Sequence, residues 1–156
     1  MSHAQPYPPI VDFLHRWIPA IFPALRVSHA NRSGVGAYVR HLIATRTFST
    51  RSADRAADIY VDASDLTQRQ IGDGLFALFI EWHVHLGVDH VIWNGRIWTR
   101  KHGELREYCS PLPCTNFMHV AFTRAASRQQ PTILVPLLDS LYLDVYGTLT
   151  GKNCTT

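Results

Sequence analysis

Two polar residues, Asp58 and His119, lie inside apolar stretches of the sequence, at residues 56–61 and 117–123. A buried carboxylate is costly unless it is paired or bound to a metal, and a histidine can act as an acid, a base or a metal ligand near neutral pH. If the two stretches are neighbouring strands, the side chains converge and form a site. The alternative is a satisfied core histidine and a separate aspartate at a strand edge.

Three further histidines, His83, His85 and His90, cluster where a predicted helix ends and a predicted strand begins. Helical positions two apart point about 200° away from each other, so His83 and His85 cannot both face one ion. We therefore expect solvent-facing helical histidines and a strand histidine at this point, without a zinc site.

Cysteine and histidine offer a second, minor metal set. It would combine Cys109 and Cys114 with His102 and His119. Cysteine and histidine are soft enough ligands to suit zinc, although the spacing of these four residues matches no paired-knuckle pattern. The two cysteines also bracket a four-residue loop. In an oxidising compartment they could form a disulfide, and free thiols are an equally weighted alternative.

Residues 86–98 read Leu-Gly-Val-Asp-His-Val-Ile-Trp-Asn-Gly-Arg-Ile-Trp. This segment resembles the Leu-Gly-Val-x-x-Val-Ile-Trp-x-x-Arg-Ile-Trp pattern of the zinc D-alanyl-D-alanine peptidase and lysostaphin-type superfamily, in its actinobacterial and phage cell-wall hydrolase branch. Residues 51–59 and 114–122 stand where that family has its two metal motifs. The resemblance covers residues 34–124 and implies a D-Ala-D-Ala peptidase-like fold that hydrolyses peptidoglycan peptides.

The same resemblance implies that Asp58 and His119 bind zinc and take part in catalysis. Other positions of the two motifs depart from the family pattern: Arg51 replaces a ligand histidine, Phe117 replaces the water-activating histidine, and Asn116 replaces an aspartate. An arginine is always protonated and cannot bind a cation. We expect Arg51 to pair with the aspartate instead, so that Arg51 and Asn116 complete an altered catalytic set.

Substrate-binding residues also follow from the resemblance. The segment Gly36-Ala37-Tyr38-Val39-Arg40 is similar to the family's Gly-Gly-Tyr-Arg segment, which implies that Arg40, with Tyr38, approaches the carboxylate of a peptidoglycan stem peptide or a similar small peptide. Because a catalytic zinc normally takes three protein ligands and a water, an active zinc site would need a replacement ligand. The candidates are Cys114, His102 and His29.

The elements that must position these residues are predicted from local patterns. A capping box at Thr67 and the apolar spacing that follows it predict a helix over 67–86, ended by Gly87. Asn94-Gly95 between two β-rich runs predicts a type I′ hairpin. Strands are predicted over 56–61 and 117–123, a short helix over 136–146 with Gly147 just past its end, and one Pro-interrupted helix within 1–30.

These elements predict an α+β fold with a mainly antiparallel sheet and flanking helices. We expect a single domain over 1–156, with a peptidase-like core over 34–124 and helical extensions over 1–30 and 131–156. The charge of +3 comes from 15 scattered basic and 12 acidic residues. No nucleic-acid partner is therefore expected.

The apolar stretch over 17–25 is too short for a membrane span or a secretory signal and is broken by Pro19 and Pro23. We expect no membrane association and a chain that is cytoplasmic as made, with any delivery to the periplasm or cell wall by another route.

Three functions are consistent with these features. The first is a peptidoglycan hydrolase with an altered zinc site. The second is a metal-free binding module or pseudoenzyme that uses an Arg/Asp/His pocket. The third is a toxin or interaction protein whose terminal segments contact a protein partner through apolar residues, namely Trp17, Phe22, Leu141 and Tyr142.

Overall fold

The computed structural model describes residues 8–29, 55–108 and 115–151, with side chains as far as residue 147. Five helices and six strands are formed in these ranges. In chain order they are α1 (Pro9–Ile21), β1 (Arg26–His29), β2 (Ala56–Tyr60), α2 (Leu66–Glu81), α3 (His83–Leu86), β3 (Val88–Trp93), β4 (Arg96–Thr99), β5 (Leu105–Glu107), β6 (Phe117–Phe122), α4 (Arg124–Ser127) and α5 (Leu134–Gly151).

The six strands form one open sheet in the order β1-β2-β6-β3-β4-β5. Every neighbouring pair in it is antiparallel. Helices flank this sheet, which confirms the predicted α+β class and the mainly antiparallel sheet. Because β6 enters between β2 and β3, the two apolar stretches that carry Asp58 and His119 become direct neighbours.

One face of the sheet carries the main hydrophobic core. Strand side chains alternate between the two faces, and those on this face are covered by α1, α2 and α5, whose buried residues belong to the same cluster. The strand residues concerned are Val27, Ala57, Ile59, Val88, Val91, Trp93, Trp98, Met118, Val120 and Phe122. Asp58 and His119 lie on the opposite face.

Helix α2 docks against β3 through a glycine. A Cβ at Gly72 would lie 2.5 Å from the ring of Trp93, so only a glycine lets the indole approach the helix this closely. The indole Nε1 donates a hydrogen bond of 3.0 Å to Asp73 on the same helix. These contacts fix the position of β3, the strand next to β6.

The predicted helix over 67–86 is formed, but with a break and a different cap. Asp65 is the N-cap and accepts a hydrogen bond of 2.8 Å from the backbone of Gln68. The prediction of a capping box at Thr67 is therefore wrong, because the carboxylate of Asp65, two residues earlier, caps the helix instead. The helix is interrupted at Trp82, and α3 ends at Gly87, whose φ of 65° is left-handed.

The Asn-Gly hairpin is confirmed. Asn94 and Gly95 have φ values of 48° and 76°, as a type I′ turn requires at both central positions. The turn joins β3 to β4, which pair in register from His90 with Thr99 to Trp93 with Arg96.

The terminal segments differ from the sequence prediction. Helix α1 ends at Ile21, and Arg26–His29 is a strand, because its backbone pairs with β2 and joins the sheet edge. Helix α5 begins at Leu134 and continues through Gly147. A helical glycine costs only about 1 kcal/mol, which is too little to end this helix.

The apolar residues proposed to contact a partner are partly used inside the fold. Phe22 is fully buried, and Trp17 and Leu141 pack against the main core, whereas Tyr142 is 40% exposed. Among the described helices, none is both long enough and apolar enough to cross a membrane.

Candidate functional site

Asp58 and His119 form a buried pair at the centre of the sheet. The register of β2 and β6 sets them directly opposite each other, so their side chains project from the same face. His119 Nδ1 lies 2.8 Å from Asp58 Oδ1, and both side chains are fully buried. The convergence predicted from the sequence is therefore present in the fold.

The hydrogen bond decides how the imidazole of His119 is used. An ionised carboxylate only accepts hydrogen bonds, so Nδ1 donates and, in the neutral ring, Nε2 keeps its lone pair. His119 Nε2 is buried and has no hydrogen-bond partner in the part of the chain that the structure describes. A carboxylate that fixes the tautomer of a histidine in this way is the arrangement that prepares an imidazole to accept a proton.

A second histidine, His90, lies beside the pair. Its register partner on β6 is Ala121, two residues from His119, so both histidines project from one face. Their ring centroids are 5.4 Å apart and the rings are inclined by 25°. His90 Nδ1 lies 2.9 Å from Asp89 Oδ2, which repeats the carboxylate–imidazole pairing seen at His119.

A register shift between Val88 and His90 makes this second pairing possible. A bulge inserts an extra residue into one strand and changes the direction of its side chains. Asp89 is the extra residue, between Val88 and His90. Its side chain is 41% exposed, whereas that of His90 is buried. The sequence analysis missed this role of His90, although the adjacent Asp89 was a usable signal.

The pKa values of both members of the second pair are lowered. This favours the neutral form of His90 and the charged form of Asp89. Burial lowers the pKa of the His90 imidazole below its ordinary 6.5, against the opposing effect of the hydrogen bond to Asp89. The hydrogen bond from His90, assisted by the charges of Arg55 and Arg100, lowers the pKa of the Asp89 carboxyl. His90 is accordingly neutral, and Asp89 ionised, at neutral pH.

The depressed pKa of His90 predicts a pH dependence of stability. Below pH 6.5, the ordinary pKa of histidine, His90 binds a proton in the unfolded chain but stays neutral in the folded chain. The free energy of unfolding should therefore fall with falling pH. The slope for one such proton is at most about 1.4 kcal/mol per pH unit. Urea unfolding at several pH values should show this slope in the wild type and a smaller one in His90→Phe. Equal slopes would contradict the prediction.

An apolar cluster borders Asp58 and His119 on the same face. Phe117, two residues before His119 on β6, packs with partly buried Tyr60, its register partner on β2. The other members of this cluster are Ile92, Ile97 and Tyr108. The site thus combines a carboxylate–imidazole pair with an adjoining aromatic and aliphatic wall.

Two of the proposed replacement ligands do not join the pair. His29 is in register with Ala57, so its side chain belongs to the opposite face from Asp58. His102 is exposed in the turn between β4 and β5, where its backbone N–H contacts the hydroxyl of Thr99. Both predictions are therefore wrong, because pairing register and turn position separate these histidines from the site.

Of the other predicted site residues, one lies in the described part of the chain and the rest lie outside it. Asn116 is described and exposed, just before β6, and its carbonyl accepts a hydrogen bond of 3.3 Å from the backbone of Val61. The others lie outside the described residues, so their roles stay predictions: Tyr38, Arg40, Arg51, Cys109 and Cys114.

The described residues do not fit a catalytic zinc site. Within residues 8–29, 55–108 and 115–151, no group of three or more histidine, cysteine or acidic side chains is arranged to hold a metal ion. Asp58 and His119 supply two donors, whereas a catalytic zinc normally takes three from the protein. We therefore assign no chemical step to a metal.

His85 is exposed, as predicted for a helical histidine, whereas His83 is half-buried. His83 Nδ1 lies 2.8 Å from the carbonyl of Ile80 and its ring packs on Trp98. The ring of His85 packs on Trp82 instead. The two imidazoles therefore have different neighbours.

The chain is similar to a known protein family. The family model described as VldE, C-terminal domain, matches residues 26–111, which run from β1 to beyond β5 and include Asp58, Asp89 and His90. No curated protein and no solved structure matches the chain. Because the matched segment covers more than half of the 156 residues, the chain belongs to the VldE C-terminal domain family.

Proposed function

We propose that this chain is a peptidoglycan-peptide hydrolase-like domain that performs proton transfer with the Asp58–His119 pair. The observation that carries the proposal is the 2.8 Å hydrogen bond between these two fully buried side chains on neighbouring strands. The resemblance of residues 34–124 to the D-Ala-D-Ala peptidase and lysostaphin-type superfamily supports it, because that resemblance assigns functional roles to the same two positions.

In the proposed reaction, His119 acts first as a base and then as an acid. Its Nε2 takes a proton from a water molecule, whose oxygen attacks the carbonyl carbon of the peptide bond. Asp58 accepts a hydrogen bond from Nδ1 throughout and stabilises the imidazolium that forms. The imidazolium returns the proton to the departing amine as the carbon–nitrogen bond breaks, so no other reactant is needed.

The adjoining apolar wall supports a peptide substrate. Phe117 and Tyr60 form the next register pair on the same face, two residues along the strands from Asp58 and His119, which suits a small aliphatic side chain next to the bond at the pair. Stem peptides are short and carry such side chains. Arg40 and Tyr38 are proposed to bind the substrate carboxylate, and Arg51 and Asn116 to complete the pocket.

A second candidate is a metal-free module that binds such a peptide without cutting it. The burial of His119 favours this candidate, since the Nε2 atom that must meet the water is closed off from solvent. Cleavage requires that nitrogen to be reached, whereas binding at the adjoining apolar cluster does not. The two candidates therefore differ in whether bonds are broken.

Digestion of purified bacterial sacculi separates the candidates. The wild type is expected to release muropeptides, and His119→Ala to reduce the rate by at least about 100-fold, the lower range of a general acid–base contribution. His102→Ala is the matched control, because it removes an exposed histidine away from the site, and it should keep the wild-type rate. Elemental analysis of each preparation measures zinc alongside.

Each outcome has a different meaning. Binding of sacculi without release supports the second candidate, and neither binding nor release rejects both. Release that depends on stoichiometric zinc, with zinc lost in His119→Ala, would contradict proton transfer without a metal.

A further inference from the structure

The sheet extends beyond the helices that cover it. Helix α2 packs on β3 through Gly72 and Trp93, and β4 and β5 follow β3 in the strand order. Leu105 on β5 is in register with the core residue Trp98, so its side chain projects from the helix-covered face, yet it is 50% exposed. A groove of about 530 Å³, which is in the size range of ligand sites, lies between α2 and β5.

The groove has a mainly apolar lining with several charged groups. The apolar residues are Phe76, Ala77, Ile80 and Leu105, and the charged residues are Asp73, Glu81 and Arg96. The guanidinium of Arg96 lies over the ring of Phe76, 5.1 Å from its centroid, and its Nη2 lies 3.6 Å from Asp73 Oδ1. The positive charge of Arg96 is therefore already balanced by a carboxylate.

The other charges beside the groove are negative. Glu81 lines the groove, and Glu107 lies two residues along β5 from Leu105, on the same face of the strand. Both carboxylates are exposed, and neither takes part in the ion pairs among the described residues. A ligand that combines an apolar group with a cation is therefore complementary to this surface, whereas an acidic ligand is repelled.

The backbone of β5 offers hydrogen bonds beside the groove. Among the described strands β5 stands at the edge of the sheet and pairs with β4. The N–H of Tyr108 donates to the carbonyl of Gly95 at 2.8 Å, and hydrogen-bonded and non-hydrogen-bonded pairs alternate along an antiparallel ladder. The peptide groups of Leu105 and Glu107 therefore point away from β4, towards the outer edge. The side chains of the same two residues project beside the groove.

A second copy of this chain fits the edge poorly. Two β5 strands that are related by a twofold axis and paired over all three residues place Arg106 opposite its own copy, and Leu105 opposite Glu107. Like charges directly opposite each other destabilise a strand pair. A peptide of different sequence avoids both mismatches.

We propose that the edge of β5 and the groove beside it bind an extended peptide of a partner protein as an added strand. The peptide carries an aliphatic residue opposite Leu105 and a basic residue two positions along, opposite Glu107, because side chains two apart share one face of a strand. Its backbone pairs with the outward-facing peptide groups of β5. This surface lies on the opposite face of the sheet from Asp58 and His119, so the proposal does not depend on the proposed function.

Two capped peptides, Thr-Val-Thr-Lys-Thr and Thr-Val-Thr-Glu-Thr, test the proposal by NMR titration of the full ¹⁵N-labelled chain. The lysine peptide should shift the amide signals of Leu105 and Glu107, whereas the amide of Arg106, which faces β4, should shift less. The glutamate peptide should bind at least about twofold more weakly, because it places a like charge opposite Glu107. Shifts confined to other parts of the chain, or equal affinity of the two peptides, would contradict the proposal.

Peptides with a methylated backbone nitrogen separate strand addition from side-chain contact with the groove. Along the lysine peptide, successive N–H groups face β5 and solvent in turn. Methylation at the valine, or in a separate peptide at the threonine after it, should therefore weaken binding in one peptide and leave it nearly unchanged in the other. Equal effects of the two methylations would reject a hydrogen-bonded strand.

Variants at exposed positions identify the contacts. Glu107→Lys should reverse the preference, so that the glutamate peptide binds more tightly than the lysine peptide. Asp139→Lys, the same change of charge at an exposed position of α5, should keep the wild-type preference. An unchanged preference in Glu107→Lys would overturn the assignment of the basic residue.

Leu105→Ala should weaken binding of both peptides about two- to fivefold, the range of a cross-strand pair. Leu66→Ala is its matched control, because Leu66 is 75% exposed at the start of α2 and does not line the groove. Unchanged affinity in Leu105→Ala would overturn the proposal. So would shifts of the Leu105 and Glu107 amides when the chain is concentrated without peptide, since a second copy would then occupy the edge.

Discussion

Asp58→Ala is expected to lower the free energy of unfolding by about 1–3 kcal/mol and to reduce muropeptide release at least as much as His119→Ala does. The stability loss arises because removal of the carboxylate leaves His119 Nδ1–H unsatisfied in a fully buried position. Release falls because the ring loses the group that fixes its tautomer. Urea unfolding and sacculus digestion measure the two effects separately.

Ser28→Ala is the matched control for this variant. Ser28 is the register partner of Asp58 on β1, and its hydroxyl donates a long hydrogen bond of 3.4 Å to Tyr60. We expect its free energy of unfolding to change by less than about 0.5 kcal/mol, as for most substitutions away from strong interactions. Equal stability and equal release in Asp58→Ala and Ser28→Ala would contradict a functional role for the pair.

Trp93→Ala is expected to produce the largest loss of stability, about 3–5 kcal/mol, as for other buried tryptophans replaced by alanine. Trp93 is fully buried, its ring fills the space above Gly72, and its Nε1 donates to Asp73. The substitution leaves a cavity between α2 and β3 and removes that hydrogen bond. Urea unfolding with linear extrapolation measures the change.

The position of Trp93 makes a further comparison possible. It projects from the helix-covered face, opposite His119, so muropeptide release per folded molecule should be unchanged at temperatures where the variant is folded. Trp17→Ala is the control, because Trp17 is only partly buried and packs at the edge of the core. A Trp17 variant as unstable as the Trp93 variant would contradict the assignment of α2 and β3 as the stabilising contact.

The parts of the fold that were predictable carry local signals. Asn94-Gly95 demands positive φ at both turn positions, which few other residue pairs tolerate, and the hairpin follows from that alone. Asp58 and His119 stand out because they interrupt apolar strands. Their meeting was predictable once the two strands were assumed to be neighbours, and the insertion of β6 beside β2 provides this.

The missed elements depend on distant contacts. β1 and β5 are short edge strands, and all three residues of β5 are exposed, so no apolar alternation marks that strand. Their strand state comes from pairing with β2 and β4. The role of His90 depends on a bulge and on a ring from another strand, and neither can be read from residues 88–93 alone.

The most direct test of the Asp58–His119 pair is the protonation pattern of the His119 ring in the wild type and in Asp58→Ala. The hydrogen bond to Asp58 predicts a proton at Nδ1 that exchanges slowly with water, and rapid exchange or a mixture of tautomers once the carboxylate is removed. A wild-type ring with its proton at Nε2, unchanged by Asp58→Ala, would contradict the pairing on which the proposed chemistry depends.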